Sequence, residues 1–194
     1  MGDEKGIKRY EPLGFLLVLG MFSMLGVMLF ALYKFRQNLG AGIITPPELG
    51  AAVYAGCGVL ALAFILLALG FHFFRTQRFP AFRACLAGSF GAGLLFIVLQ
   101  VVSLPVQQAV ADPVQQGYYY LAFLSGVHLL FVLAGGGATA VLLARAYRRQ
   151  ADVGGVLFSV NPPNILNMQL LVRYMGFVTV LWVAVIIFLG RHVT

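Results

Sequence analysis

An all-α, polytopic membrane protein, a single domain of five transmembrane helices over residues 1–194, is predicted by three observations. Charge is scarce: 13 Lys or Arg and six Asp or Glu make 10% of the chain, against about 25% in soluble domains. Hydrophobic residues make up 61%, with a mean hydropathy of +0.93, more apolar surface than one small domain can bury from water. Finally, residues 12–33, 49–74, 84–111, 113–144 and 174–190 contain no Asp, Glu, Lys or Arg. A spanning helix needs about 20 apolar residues, so the first four windows suffice outright.

The first helix is placed at 13–35 and, with no small-residue cleavage site after it, is read as an uncleaved signal anchor. Thr45-Pro46-Pro47-Glu48 opens the second, at 49–72. Phe79-Pro80 precedes the third, at 83–104, and Pro105 and Pro113 bracket a short connection to the fourth. The fourth, at 117–146, carries Tyr118-Tyr119-Tyr120 and Tyr147 at its ends, where tyrosines anchor at membrane interfaces. Another charge-free stretch, 153–172, holds Gly154-Gly155, Asn161-Pro162-Pro163-Asn164 and Asn167. Consecutive prolines and asparagines break helices, so it is read as a loop along the membrane surface. The fifth helix, at 169–190, reaches spanning length by including Arg173 about one turn inside, from where it snorkels to the headgroups.

Basic residues orient the bundle. With the N-terminus inside, ten of the 13 lie on the inner side: Lys5, Lys8, Arg9, Arg75, Arg78, Arg83, Arg145, Arg148, Arg149 and Arg173. Only Lys34, Arg36 and Arg191 lie outside. Positive charge collects on the cytoplasmic side, so the N-terminus is expected inside and the C-terminus outside. The same distribution, with no basic stripe interleaved with aromatics, argues against nucleic acid as a partner.

Glycines should set the packing. Gly56 and Gly58, then Ala84, Gly88, Gly91 and Gly93, then Gly135, Gly136 and Gly137 with Ala140 and Ala144, fall inside the spans. Small residues let helix backbones approach where burial from water drives nothing, so enlarging Gly91 or Gly136 is expected to hold helices apart. Cys57 and Cys85, the only cysteines, are read as packing residues.

No catalytic, cofactor or metal site is expected. Asp3, Glu4, Glu11, Glu48, Asp112 and Asp152 all lie outside the predicted spans, whereas proton pumps and ion-coupled carriers place ionisable groups at membrane depth. HExxH, CxxC, GxSxG and phosphate-loop patterns are absent. Haem held between two imidazoles would need histidines at one depth. His128 falls about ten residues into the fourth helix, roughly 15 Å, while His72 and His192 lie near opposite faces. His128 is instead expected to be buried and hydrogen-bonded to a backbone carbonyl, Thr or Ser.

The fourth helix, Tyr120-Leu-Ala-Phe-Leu-Ser-Gly-Val-His-Leu-Leu-Phe-Val-Leu-Ala-Gly135, resembles the subunit III family of haem-copper oxidases, in the pattern F-x-L-T-G-x-H-x-x-H-V-x-x-G. Gly126, His128, Val132 and Gly135 match, and Phe131 stands where the second His would be. Leu13-Gly14-Phe15 through Met24 to Tyr33 is similar to the family's L-G-M-W-L-F-L-A-S-E-V-M-x-F helix, and Thr45-Pro46-Pro47 to its proline-rich lead into the next. Leu95-Phe96-Ile97-Val98-Leu99-Gln100 is similar to G-x-x-F-L-x-x-Q, and Tyr174 to Trp182 to the final Y-W-H-F-V-D-V-V-W, matching at Tyr174, Phe177, Val178, Val180 and Trp182. Phe22, Gly176 and Thr179 stand where the family has its Glu, final-helix His and Asp.

What the resemblance implies is the short, five-helix bacterial form of cytochrome c oxidase subunit III. Such a chain is a non-catalytic, accessory subunit of a terminal oxidase in the bacterial inner (cytoplasmic) membrane, serving electron transport in the respiratory chain. It binds no haem or copper, which partner subunits carry. Its partners are the catalytic subunit I, subunit II, phospholipids in a cleft and, in larger assemblies, a respiratory supercomplex. His128, Gln100, Tyr174, Trp182 and Arg173 are the candidate contacts to lipid or subunits. Two other readings stay open: an autonomous transporter, which would need an internal repeat or polar cavity, and a haem-binding membrane anchor, which would need a second His at the depth of His128.

Overall fold

The structure is a computed structural model that describes residues 11–44, 47, 49–110, 117–148 and 162–191. Five helices, α1 (Glu11–Gly40), α2 (Ala51–Arg75), α3 (Phe79–Val110), α4 (Gly117–Arg148) and α5 (Pro162–Gly190), account for nearly all of them. Each contains a stretch long and apolar enough to cross a membrane: Val18–Gly40, Ala51–Arg75, Phe79–Ser103, Gly117–Tyr147 and Ile165–Gly190. Five spans were expected and five candidate spans are found.

Helix ends show why four expected boundaries move. α1 continues to Gly40 and closes where Gly42 turns left-handed, at φ 68°, letting the Ile43 N–H reach the Asn38 carbonyl at 3.0 Å. α2 closes the same way, with the Arg78 N–H on the Phe73 carbonyl at 2.9 Å, yet its left-handed residue is Gln77, at φ 58°. The Thr76 hydroxyl adds a bond to the His72 carbonyl at 3.1 Å. Phe79-Pro80, expected to precede α3, forms its first turn, where a missing N–H leaves nothing unpaired. α3 also passes through Pro105 rather than ending at 104, although a proline there removes the donor to the Val101 carbonyl and crowds it.

The largest correction concerns α5. Pro162 and Pro163 do not break a helix; they start one, and α5 runs 29 residues from Pro162 to Gly190. Proline has φ preset for the first turn and needs no N–H there. The surface loop expected over 153–172 is therefore helical from residue 162, and 153–161 lie outside the described residues. So do 45, 46 and 48 of the segment leading into α2, and 111–116 between α3 and α4.

α2 and α3 form the most intimate pair, an antiparallel hairpin. The Ser89 hydroxyl donates to the Ala63 carbonyl across it at 2.8 Å, and a Cβ on Gly88 would sit 3.2 Å from Leu66. α5, the most buried of the five spans, packs against α2 and α4, and the core runs along it through Met168, Tyr174, Val178, Trp182, Val185 and Leu189. α1 joins through Phe35, which meets Tyr120 and Phe188 edge-on, and through Asn38, whose amide donates to the Tyr120 hydroxyl at 2.7 Å. Phe22, Phe30, Leu62, Val98, Leu130, Val180 and Ile187 face outward, a surface suited to hydrocarbon.

The expectation for the glycines holds only in part. Gly56, Gly88 and Gly135 face a neighbouring helix, but nothing lies within 4 Å of a Cβ on Gly58, Gly91, Gly93, Gly136 or Gly137. Residues turn by 100° per position, so adjacent glycines cannot share a face.

Candidate functional site

Four of the five candidate residues are buried inside the bundle, and two of them, His128 and Trp182, are in direct contact. His128 on α4 is fully buried, and its Nε2 lies 3.3 Å from the Val178 carbonyl of α5. The expected backbone carbonyl is thus its partner. Its ring stacks on the Trp182 indole, with centroids 4.4 Å apart and planes 16° from parallel. Phe96 of α3 meets the same imidazole edge-on at 5.5 Å. Gln100, four residues further along α3, is 2% exposed and lies beside Gly56 of α2.

Tyr174 ties the same two helices about one turn below. Its hydroxyl donates to the Phe131 carbonyl at 2.8 Å, so α4 supplies a backbone acceptor where the resembled family has a second histidine. Gly135 makes this approach achievable: a Cβ there would be 3.1 Å from Tyr174 and would overlap the Met175 sulfur. On the opposite face of α5, a Cβ on Gly176 would come within 3.0 Å of Phe64. Gly176 therefore stands where an imidazole would have to displace the Phe64 ring. Phe22 points out of the bundle, and Thr179 bonds within its own helix to the Met175 carbonyl at 2.8 Å.

Arg173 is apart from this cluster. It is exposed, and with α5 starting at Pro162 it lies three turns into the helix, about 16 Å from its start, rather than one. Gln100, His128, Tyr174 and Trp182, by contrast, are covered by the chain's own helices, so their contacts here are intramolecular.

Sequence reasoning missed two participants. Asn167 was assigned to a loop, but it lies on α5 with a buried Oδ1, two turns before Tyr174 and on the same side. With Arg145, Gly135 and Tyr174 it lines an α4–α5 groove of about 270 Å³. Phe96 was noted only as part of a motif; its spacing of four from Gln100 is the signal that both share a face. Among the described residues no group of three or more His, Cys, Asp or Glu could hold a metal ion.

No family model matches this chain, and a search of curated proteins finds no match. What the site can do is set by its own chemistry. It has an imidazole, an indole and an amide in an apolar surround, with no acid beside them among the described residues. Such a set can lock helices together by stacking and hydrogen bonding.

Proposed function

We propose that the chain is a subunit III-like, non-catalytic component of a respiratory haem-copper oxidase of a bacterial cytoplasmic membrane, packing against the catalytic subunit and its lipids. One observation carries the reading. The two segments with the most specific resemblance, Gly126 to Gly135 and Tyr174 to Trp182, are separated by 38 residues in the chain, and five of their nine matching residues are each other's partners, whereas Val180 faces outward and a Cβ on Gly126 would meet nothing within 4 Å. His128 meets Val178 and Trp182, and Gly135 meets Tyr174. A chance likeness in two apolar helices has no reason to fall on contacting faces. A pair of segments inherited from one family would.

Its contribution is through contact: the bundle stiffens a catalytic neighbour, while haem and copper reside in that neighbour. The test is purification of the tagged chain from its native membranes in mild detergent, with a visible spectrum of the eluate. Co-elution with a haem-bearing catalytic subunit is expected, and deletion of the chain should leave haem per catalytic subunit nearly unchanged while turnover decays sooner. Purification alone or with a dehydrogenase, or full activity through prolonged turnover in the deletion strain, would reject the reading. A stoichiometric haem signal in the isolated chain, lost in His128→Ala, would favour the anchor instead.

A further inference from the structure

The central cluster holds a chemical imbalance that identifies a ligand. Gln100 Nε2, His128 Nδ1 and Trp182 Nε1 are buried polar atoms with no hydrogen-bond partner among the described residues, on side chains at most 2% exposed. They belong to three different helices: the indole stacks on the imidazole, the imidazole meets Phe96, and Gln100 is one turn along α3 from Phe96. Polar atoms buried at this depth are almost always partnered, by protein or by ordered water.

The roles of the three atoms follow from His128. Its Nε2 faces a carbonyl, which can only accept, so Nε2 carries the proton. A neutral imidazole then leaves Nδ1 as a bare acceptor. The Trp182 indole N–H and the Gln100 amide N–H can only donate. A group that completes the cluster must donate once and accept twice. A second carbonyl cannot donate, and an ammonium cannot accept; water does both.

Gly56 of α2 is the neighbour of the Gln100 amide. The glycine presents no side chain to α3, and a Cβ built there would lie 3.5 Å from Phe96 and 3.9 Å from Gln100 Nε2, so α2 comes up to the amide at a position where a side chain would be its direct neighbour. We propose that this cluster is an internal water site at the centre of the membrane bundle. Ordered water joins Gln100 of α3, His128 of α4 and Trp182 of α5, with Gly56 of α2 beside the amide. The site holds four helices in register whichever complex the chain serves. It also explains why these polar side chains tolerate an apolar surround: each donor and acceptor is matched through water, which commonly makes about three hydrogen bonds when buried.

Trp182 is the only tryptophan, so an ¹⁵N-indole label on the full chain in lipid nanodiscs reports this site with one signal. Magnetisation transfer from water to the Trp182 indole proton is expected, together with the Nε2–H tautomer in the ¹⁵N spectrum of His128. Gly56→Ala should weaken the transfer several-fold, while Gly58→Ala, where a Cβ meets nothing within 4 Å, should leave it unchanged. An indole N–H without transfer from water in the unsubstituted chain would overturn the proposal, as would an Nδ1–H tautomer or equal loss in both glycine variants. If Gly56→Ala does not fold, the two signals of the unsubstituted chain still decide.

Discussion

His128 and Trp182 lie face to face, 4.4 Å between ring centroids, each with a buried polar nitrogen that has no partner among the described residues. The pair acts as one packing unit, and substitutions should show it. Trp182→Ala removes the largest fully buried side chain and should lower stability by about 3–5 kcal/mol. His128→Phe keeps a ring against the indole and gives up the bond to Val178, about 1 kcal/mol. Thermal unfolding of the detergent-solubilised chain measures both. In the double variant the losses should fall short of their sum, because contacting residues are not additive.

Glycine substitutions separate packing from composition. Gly135→Leu and Gly176→Leu drive a side chain into Met175 and Phe64 and should destabilise the bundle by at least about 1–3 kcal/mol. Gly136→Leu and Gly91→Leu place theirs in open space and should change unfolding little, or raise it slightly through better helix propensity. Size-exclusion profiles after a heat step would distinguish them. Similar losses at all four positions would mean that an unseen partner covers the open faces.

This contrast marks the limit of what the sequence conveys. The five spans were legible because four charge-free windows reach spanning length and the fifth does so once Arg173 is included. The kind of partner for His128 was legible too, since a buried imidazole at mid-bundle needs one. The rotational phase of each helix was not: Gly135, Gly136 and Gly137 are equivalent in composition, and only the direction of α5 tells which one it touches. Asn161-Pro162-Pro163-Asn164 was ambiguous for a different reason. Proline ends a helix that precedes it and begins one that follows, and the sequence alone does not say on which side the helix lies. Reading it as a break hid Asn167 and displaced Arg173 by about two turns.

Gln77 offers a test of backbone rather than packing. It closes α2 in the left-handed region, at φ 58°, where a Cβ crowds the following carbonyl at a cost of about 1–2 kcal/mol. Gln77→Gly removes the crowding and returns part of the gain as chain entropy, for a net stabilisation of about 0.5–1 kcal/mol. Gln77→Val should do the opposite, because branching at Cβ worsens the same contact. Unfolding midpoints of the two variants should bracket that of the parent, and a more stable valine variant would refute the argument.

Orientation is the last prediction, and it rests on charge alone. The turn joining α2 and α3 is bounded by Arg75 and Arg78, with Arg83 one turn on, where its guanidinium lies 5.8 Å from the Tyr147 ring centroid at the far end of α4. Arg145 and Arg148 share that end of the bundle; the opposite end has Lys34, Arg36 and Arg191. Each arginine or lysine at the helix centre resists transfer into hydrocarbon by about 2.5–3.5 kcal/mol, and those in short loops are retained on the cytoplasmic side. The α2–α3 turn should therefore face the cytoplasm and the C-terminal end of α1 the outside. With Cys57 and Cys85 replaced by alanine, a membrane-impermeant thiol reagent on intact cells should label Ala41→Cys and spare Gln77→Cys until the cells are opened. Labelling of Gln77→Cys from outside would invert the bundle. The resembled subunit could then not present its basic end to the cytoplasmic side of a catalytic partner, so the oxidase reading would fall with the topology.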